Sequence, residues 1–481
     1  MSQATEVRPA ADFAPDLVVS DETPRKLVSA VFLDRIIFFS LVALVVAAAI
    51  PYGTAEAWWK AALVCSVLVL TILWLIEGLL RGRWITDGWS LIFPILALTV
   101  FSFLQTIPWS NQSLSALPLS PWIAVSADPY QSRFFAMQLL ALLLAGVLLF
   151  RYANTQRRMQ VLISAVIIVA VVSAVFGILR QTSQHSLGFG LPLLTPGGGY
   201  GQFVNRNHFA FLMEMAFGLV LGLILGGGVK REHMLIYAAA ILPVWTALVL
   251  SGSRGGIITM LAQVLIAALL ASVVVRRRSG HERPSKFLNI ARSLPVRIGL
   301  LVLLISAVVI GTLWLGGDRL ASRIEESHAQ LYSEQGETRV GVSRNEIWRL
   351  SWKMFTAHPI LGVGLGAYWV VVPAFHDASG TMTPQEAHND YLELLASGGI
   401  VGAAIFAWFA FAVLRRTREN LRSPNRFRRA ACLGASIGIA GIAVHSLVDF
   451  GLHMLANALI FTTLIVLATS KPSWAVHSSR K

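Results

Sequence analysis

Residues 384–402 read Pro-Gln-Glu-Ala-His-Asn-Asp-Tyr-Leu-Glu-Leu-Leu-Ala-Ser-Gly-Gly-Ile-Val-Gly. The stretch sets His388, Asn389 and three carboxylates, Glu386, Asp390 and Glu393, at the mouth of an apolar run that continues through Ser397, Gly398, Gly399 and Gly402. Polar groups where a chain enters hydrocarbon are costly and mark a functional site by default. The plainer alternative is a helix cap built by Asn389 or Asp390. What surrounds the stretch decides between them.

Apolar residues make up 55% of the chain and charged ones only 13%, and the mean hydropathy is +0.65. That excludes a water-soluble globule and leaves an all-α polytopic integral membrane protein. A formal net charge of +14 is compatible with nucleic-acid binding, but the basic residues sit in short loops between long apolar runs, as membrane topology demands. No nucleic-acid partner is therefore expected. The two cysteines, Cys65 and Cys432, lie far apart inside apolar runs, so neither a disulfide framework nor a metal-ligand spacing is present. No metal and no cofactor are expected.

A membrane-spanning helix needs about 20 apolar residues, and the chain offers about twelve such runs: 31–50, 58–80, 89–107, 133–150, 160–180, 207–228, 233–251, 254–275, 297–316, 390–414, 429–448 and 451–470. The organisation expected is a disordered cytoplasmic tail at 1–30, transmembrane helices 1–9 over 31–316, one large loop at 317–389, helices 10–12 over 390–470 and a second tail at 471–481. Alternate loops carry the Lys and Arg residues, which assigns those loops and both termini to the cytoplasm. The loop 317–389 then faces the other side. Its length is too great for an idle connection. Within it, 344–358 reads as an amphipathic helix, with Ile347, Leu350, Met354, Trp348 and Phe355 on one side. The glycine-rich 359–366 lacks the Lys-Ser/Thr ending of a phosphate loop and fits close chain packing instead.

Four segments bring polar groups to the same face. The first, 200–210, holds Asn205, Arg206, Asn207 and His208, where an asparagine cap and a snorkelling arginine compete with a binding role. The second, Ser-Gly-Ser-Arg-Gly-Gly over 251–256, sets Arg254 among glycines whose amides can approach an anion, and the guanidinium fork suits phosphate. The loop contributes Arg339, Arg344 and Arg349, and the fourth segment is the His388 stretch. His445, Asp449 and His453 bracket the last turn on this face and form either a supporting network or helix caps. Glu214 falls about 10 Å into its span at 1.5 Å per residue, where a carboxylate needs a partner. Arginines suit a pyrophosphate, and a histidine near neutrality suits taking a proton from a hydroxyl. Glycosyl transfer from a lipid-linked sugar pyrophosphate uses both.

Three places resemble the O-antigen ligase family of bacterial polysaccharide ligases and polymerases: Phe-Val-Asn-Arg-Asn over 203–207, the turn 251–256, and His388-Asn389 followed nine residues later by Gly-Ile-Val-Gly over 399–402. The resemblance covers about residues 200–450. It implies a GT-C-like glycosyltransferase architecture of about 12 transmembrane helices with one large periplasmic loop, in the bacterial inner membrane with its active site facing the periplasm. It implies a metal-independent, inverting enzyme whose donor is an undecaprenyl-pyrophosphate-linked glycan. The acceptor would be a glycolipid such as lipid A–core, or another glycan in the polymerase alternative. On that analogy His388 is the base, and Arg254, with Arg206 or Arg344, holds the pyrophosphate. Asn389, Asn205, Asn207, Glu214 and Glu386 support them. A transporter of polyprenyl-linked sugars is the rival of another class, disfavoured because the polar groups crowd one rim instead of the bilayer midplane.

Overall fold

The computed structural model describes residues 22–50, 52–81, 84, 88–108, 124–183, 199–276, 344–376 and 384–471. Among them the secondary structure is helical, with only two isolated bridges, Pro108 to Ala124 and Tyr200 to Phe203. The helices are α1 (Glu22–Ala49), α2 (Ala57–Arg81), α3 (Trp89–Leu104), α4 (Pro129–Tyr152), α5 (Gln156–Ser183), α6 (Arg206–Leu225), α7 (Met234–Leu250), α8 (Arg254–Arg276), α9 (Arg344–Ala357), α10 (Asp390–Asn420), α11 (Arg426–His445) and α12 (Leu455–Thr469). By length and composition eight of these, α1, α2, α4 to α7, α10 and α11, can cross a membrane, and α3, α8 and α12 are shorter apolar helices. The run at 297–316, the loop arginine Arg339 and most of the two tails lie outside the described residues.

The centre of the bundle is α6, which buries most of its length. Its sequence explains how. Gly218, Gly222 and Gly226 recur every fourth residue and face Ala430, Gly434 and Gly438 on α11, where a Cβ on Gly218 would lie 2.5 Å from the Gly438 backbone nitrogen. Small residues at this spacing let two backbones touch, which is the main source of helix association where lipid offers no hydrophobic drive. Gly222→Leu is expected to force α6 and α11 apart at a cost of about 1–3 kcal/mol or more, read as a lowered thermal midpoint in detergent; an unchanged midpoint would remove this contact from its central role.

At one end of the bundle, acids meet the basic loop residues. Glu77, fully buried, pairs with Arg81 at 2.8 Å and Arg151 at 3.4 Å and accepts from the Tyr152 hydroxyl at 3.2 Å, while Asp34 pairs with Arg158. The opposite end carries the polar segments singled out in the sequence. There α9 buries Ile347, Leu350 and Met354 as its periodicity predicts, together with Ser351, whose hydroxyl is 2.8 Å from that of Tyr368. The helix and the chain up to Phe375 form a small core of their own with Val363, Tyr368, Val372, Ala387 and Ala396.

This cap is stitched into α10 at the glycines. Gly399 sits at φ +60° and breaks the helical path, and the 359–364 segment fills the break. The Val363 and Gly364 amides donate to the carbonyls of Ala396 and Ser397 at 3.1 and 3.0 Å, and Ile400 donates to Pro359 at 2.8 Å. A Cβ on Gly362 would overlap the Ser397 carbonyl. The glycine-rich loop is thus a packing device, and its partner is the Ser-Gly-Gly of the opening stretch. Gln105, at the end of α3, secures the same joint by donating to Leu361 and Ser397 and accepting from Leu365.

Candidate active site

Two of the polar residues at this end are helix caps. Asn389 caps α10, accepting from the Tyr391 and Leu392 amides at 3.0 and 3.1 Å. Asn205 caps α6, accepting from the Asn207 amide at 2.8 Å. Capping therefore accounts for these two asparagines, whereas their neighbours do something else.

Those neighbours converge on Asp449, 1% exposed, in the turn between α11 and α12. One of its carboxylate oxygens accepts from the Asn207 side-chain amide and pairs with Arg344 at 3.3 Å. The other accepts from the Phe450 amide at 2.9 Å and faces His208 Nε2 and His388 Nδ1, each at 3.9 Å. Four chain segments thus meet on one buried carboxylate. His388 lies just ahead of α10 at φ +49°, a left-handed conformation that a histidine holds only when its surroundings impose it. Its Nδ1 is buried while 31% of the side chain is exposed, so the accessible part of the ring is the edge away from Asp449. Burial holds its pKa below the ordinary imidazole value; the Asp449 charge opposes that and the Arg344 charge adds to it. A neutral imidazole, oriented by a carboxylate behind it, is equipped to accept a proton.

A second group adjoins it across the ring of Phe450, which contacts His388 with centroids at 4.8 Å and His453 at 5.8 Å. His453 Nδ1 is 3.2 Å from Glu386, and its Nε2 is 3.6 Å from both Asp390 and Glu393. Burial alone would lower the pKa of His453, but Glu393, Glu386 and Asp390 outweigh it and raise it well above the ordinary value. Burial would likewise raise Glu386, and the His453 charge outweighs it, holding that carboxyl low. The two form a half-buried ion pair. Donor atoms of Glu386, Glu393 and His453 lie within 4.8 Å of one another, a spacing that a cation could use; in the structure the imidazole occupies the middle of that group. The sequence suggested no metal spacing here, because the histidine lies sixty residues beyond Glu393.

A third pair supports the floor. Glu214, the carboxylate inside α6, finds its partner in His445 at 2.7 Å, with Phe211 stacked on the imidazole at 4.3 Å. The turn 251–256 packs on this pair. A Cβ on Gly255 would lie 2.5 Å from His445 Nε2, and one on Gly256 would lie 3.3 Å from Glu214 Oε1. The Gly256 amide donates to Ser253 Oγ at 3.1 Å. These glycines let α8 approach His445 and Glu214, and the Gly256 amide is used by a serine cap instead of being left for an anion.

Of the residues expected from the sequence, the structure gathers His388, Arg344 and Asn207 around Asp449, sets Glu386 in the adjoining group and places Glu214 beneath. Arg206 and Arg254 each occupy the first position of a helix at this end, the former half-buried and the latter exposed. The sequence leaves Asp449 between a supporting network and a helix cap, and does not reveal the convergence of Glu393, Asp390 and His453. Both come from segments remote in the chain.

Residues 238–407 match the family model described as O-antigen ligase. The matched region includes Arg254, Arg344, Glu386, His388 and Glu393, whereas Asn207, Asp449 and His453 lie outside it. No curated protein gives a significant match.

Proposed function

We propose that this multi-pass membrane protein of the O-antigen ligase family transfers a glycan from undecaprenyl pyrophosphate to an acceptor hydroxyl at the periplasmic face of a bacterial inner membrane. The observation that carries the reading is the pairing of His388 with Asp449 at the same end of the bundle as Arg344, Arg206 and Arg254. In this scheme the acceptor oxygen attacks the anomeric carbon, the carbon–oxygen bond to pyrophosphate breaks, and the electron pair leaves with the phosphate. The hydroxyl proton passes to His388. Attack opposite the leaving group inverts the anomeric centre.

The arginines are the groups that offset the charge growing on the leaving pyrophosphate, without a metal. Arg254→Lys keeps the charge and loses the planar fork. It is expected to lower transfer by about tenfold or more, the loss of one charge-assisted hydrogen bond. Equal activity with lysine would sink bidentate binding at this position. The same assay run in chelator is expected to keep its rate; a loss restored by a divalent cation would overturn the metal-independent mechanism.

Purified protein with an undecaprenyl-pyrophosphate oligosaccharide and a lipid A–core acceptor tests the whole reading. One shifted glycolipid band is the ligase outcome, a ladder from donor alone is the polymerase outcome, and no product from either set overturns glycosyl transfer.

A further inference from the structure

The loop 317–389 is expected outside the membrane, yet its glycine-rich part meets a membrane-spanning helix well below that helix's start. α10 carries no charge between Glu393 and Arg415, a stretch of roughly 30 Å at 1.5 Å per residue that matches the ~30 Å thickness of a hydrocarbon core. Gly399, where the 359–364 segment fills the break, stands about 9 Å beyond Glu393 at the same rise. α3 gives an independent measure of depth. It begins beside Phe150, where a Cβ on Gly88 would lie 3.5 Å from that ring, next to Arg151 at the opposite end of the bundle. Its sixteen residues cover only about 24 Å, less than the core, and Gln105 at its end donates to the Leu361 and Ser397 carbonyls. The segment thus lies at a level that α10 passes through and that α3 only just reaches.

The segment is built for that depth. No residue from Pro359 to Phe375 is an acid, a lysine, an arginine or a histidine. Non-helical backbone is tolerated at hydrocarbon depth only where protein satisfies its polar groups. Here the carbonyls of Pro359 and Ile360 accept from the Ile400 and Val401 amides at 2.8 and 3.2 Å, that of Val363 accepts from Ala127 at 2.9 Å, and that of Leu361 takes the Gln105 amide at 2.7 Å. The amides of Gly362, Val363 and Gly364 donate to His358, Ala396 and Ser397, and that of Leu365 donates to Gln105. The side chains do the reverse of what water favours. Ile360 is 65% exposed and Leu361 40%, beside Ile400 at 56% on α10. Their outward surface continues the exposed apolar face of a spanning helix. Trp352 and Trp369, also exposed, are of the residue type that gathers at the membrane boundary.

We propose that residues 359–366 form a re-entrant turn seated in the acyl layer of the leaflet on the side of the candidate site, with Ile360 and Leu361 against phospholipid chains. The cap is then held by lipid as well as by α10. Because α9 packs on this segment through Leu350, Met354 and Val363 in one small core, the seating fixes the height of Arg344 relative to Asp449. It is independent of the reaction that the site performs.

The test uses the full chain carrying Cys65→Ala, since Cys65 is exposed and Cys432 buried. Ile360→Cys and Leu361→Cys are made singly in it, with Val69→Cys at the middle of α2 as the lipid reference and Lys353→Cys on α9 as the aqueous one, all at exposed positions. Each protein is labelled with bimane in detergent and placed in phosphatidylcholine nanodiscs with or without brominated acyl chains. The Ile360 and Leu361 probes are expected to lose most of their emission to brominated chains, as the Val69 probe does, and to be quenched by aqueous iodide several-fold less than the Lys353 probe. Iodide quenching equal to that at Lys353, with no response to brominated chains, overturns the proposal. Protection from both quenchers overturns it too, because a second copy of the chain would then cover the patch. Ile360→Asp gives a second reading. A charge is costly in hydrocarbon and nearly neutral on a wet surface, so this variant is expected to lower the thermal midpoint in nanodiscs while Lys353→Asp leaves it unchanged; equal midpoints for the two would place Ile360 in water.

Discussion

Replacing His388 by alanine is expected to reduce glycan transfer by a factor on the order of 10²–10⁴, the range that a general base contributes, while membrane insertion and protein level stay unchanged. The ring is partly exposed and its main packing partner is the edge-to-face ring of Phe450, so its loss leaves no large void. Alanine at a position held at φ +49° exchanges one non-glycine side chain for another and adds no new backbone demand. The pH profile gives a second readout. Because burial holds the imidazole below its ordinary value of 6.5, the base is neutral through the neutral range, and activity is lost as pH falls through that depressed pKa. The acid limb should therefore lie below pH 6.5. Near-normal transfer by the alanine variant, or an acid limb above that value, would remove His388 from the role of base.

Asp449→Asn is the second large effect. The substitution keeps the volume of the side chain and removes the charge on which Arg344, Asn207, His208 and His388 converge. An asparagine amide in that place also puts a donor where Arg344 now finds an acceptor. Transfer is expected to fall by about 10²-fold or more, the scale of a misplaced reacting group. Loss of activity alone would not separate orientation from misfolding, and the acid limb does. Asp449 raises the His388 pKa and Arg344 lowers it, so Asp449→Asn should move the limb to lower pH and Arg344→Ala should move it to higher pH. Shifts in the same direction, or none, would mean that the carboxylate holds the fold and not the base.

Much of the bundle was legible from local pattern. Apolar runs long enough for a membrane and the amphipathic face of α9 are written within a few residues of themselves, because helical periodicity is a local property; the break at Gly399 inside the expected span 390–414 is not, since it is filled by the remote 359–364 segment. The match of a family model to residues 238–407 falls on the His388 stretch and on the turn at Arg254, both singled out from residue types alone. Glycines beside an arginine read as an anion cradle, whereas Gly255 and Gly256 are small because His445 and Glu214 stand against them.

From the sequence alone follow the helical membrane character, the clustering of polar groups at one face and, through the family resemblance, the expectation that His388 is the base. Hydrocarbon forces these features: a chain that crosses it must satisfy its own backbone in helices and must keep its charges at the ends. Which charges meet there was decided only by the tertiary structure. Asp449 faces His388 across sixty-one residues, Glu214 finds His445 across more than two hundred, and His453 enters a ring of carboxylates from the turn before α12. Those partnerships depend on how closely α6, α8 and α11 approach, and that distance is set by packed glycines whose neighbours no local pattern names.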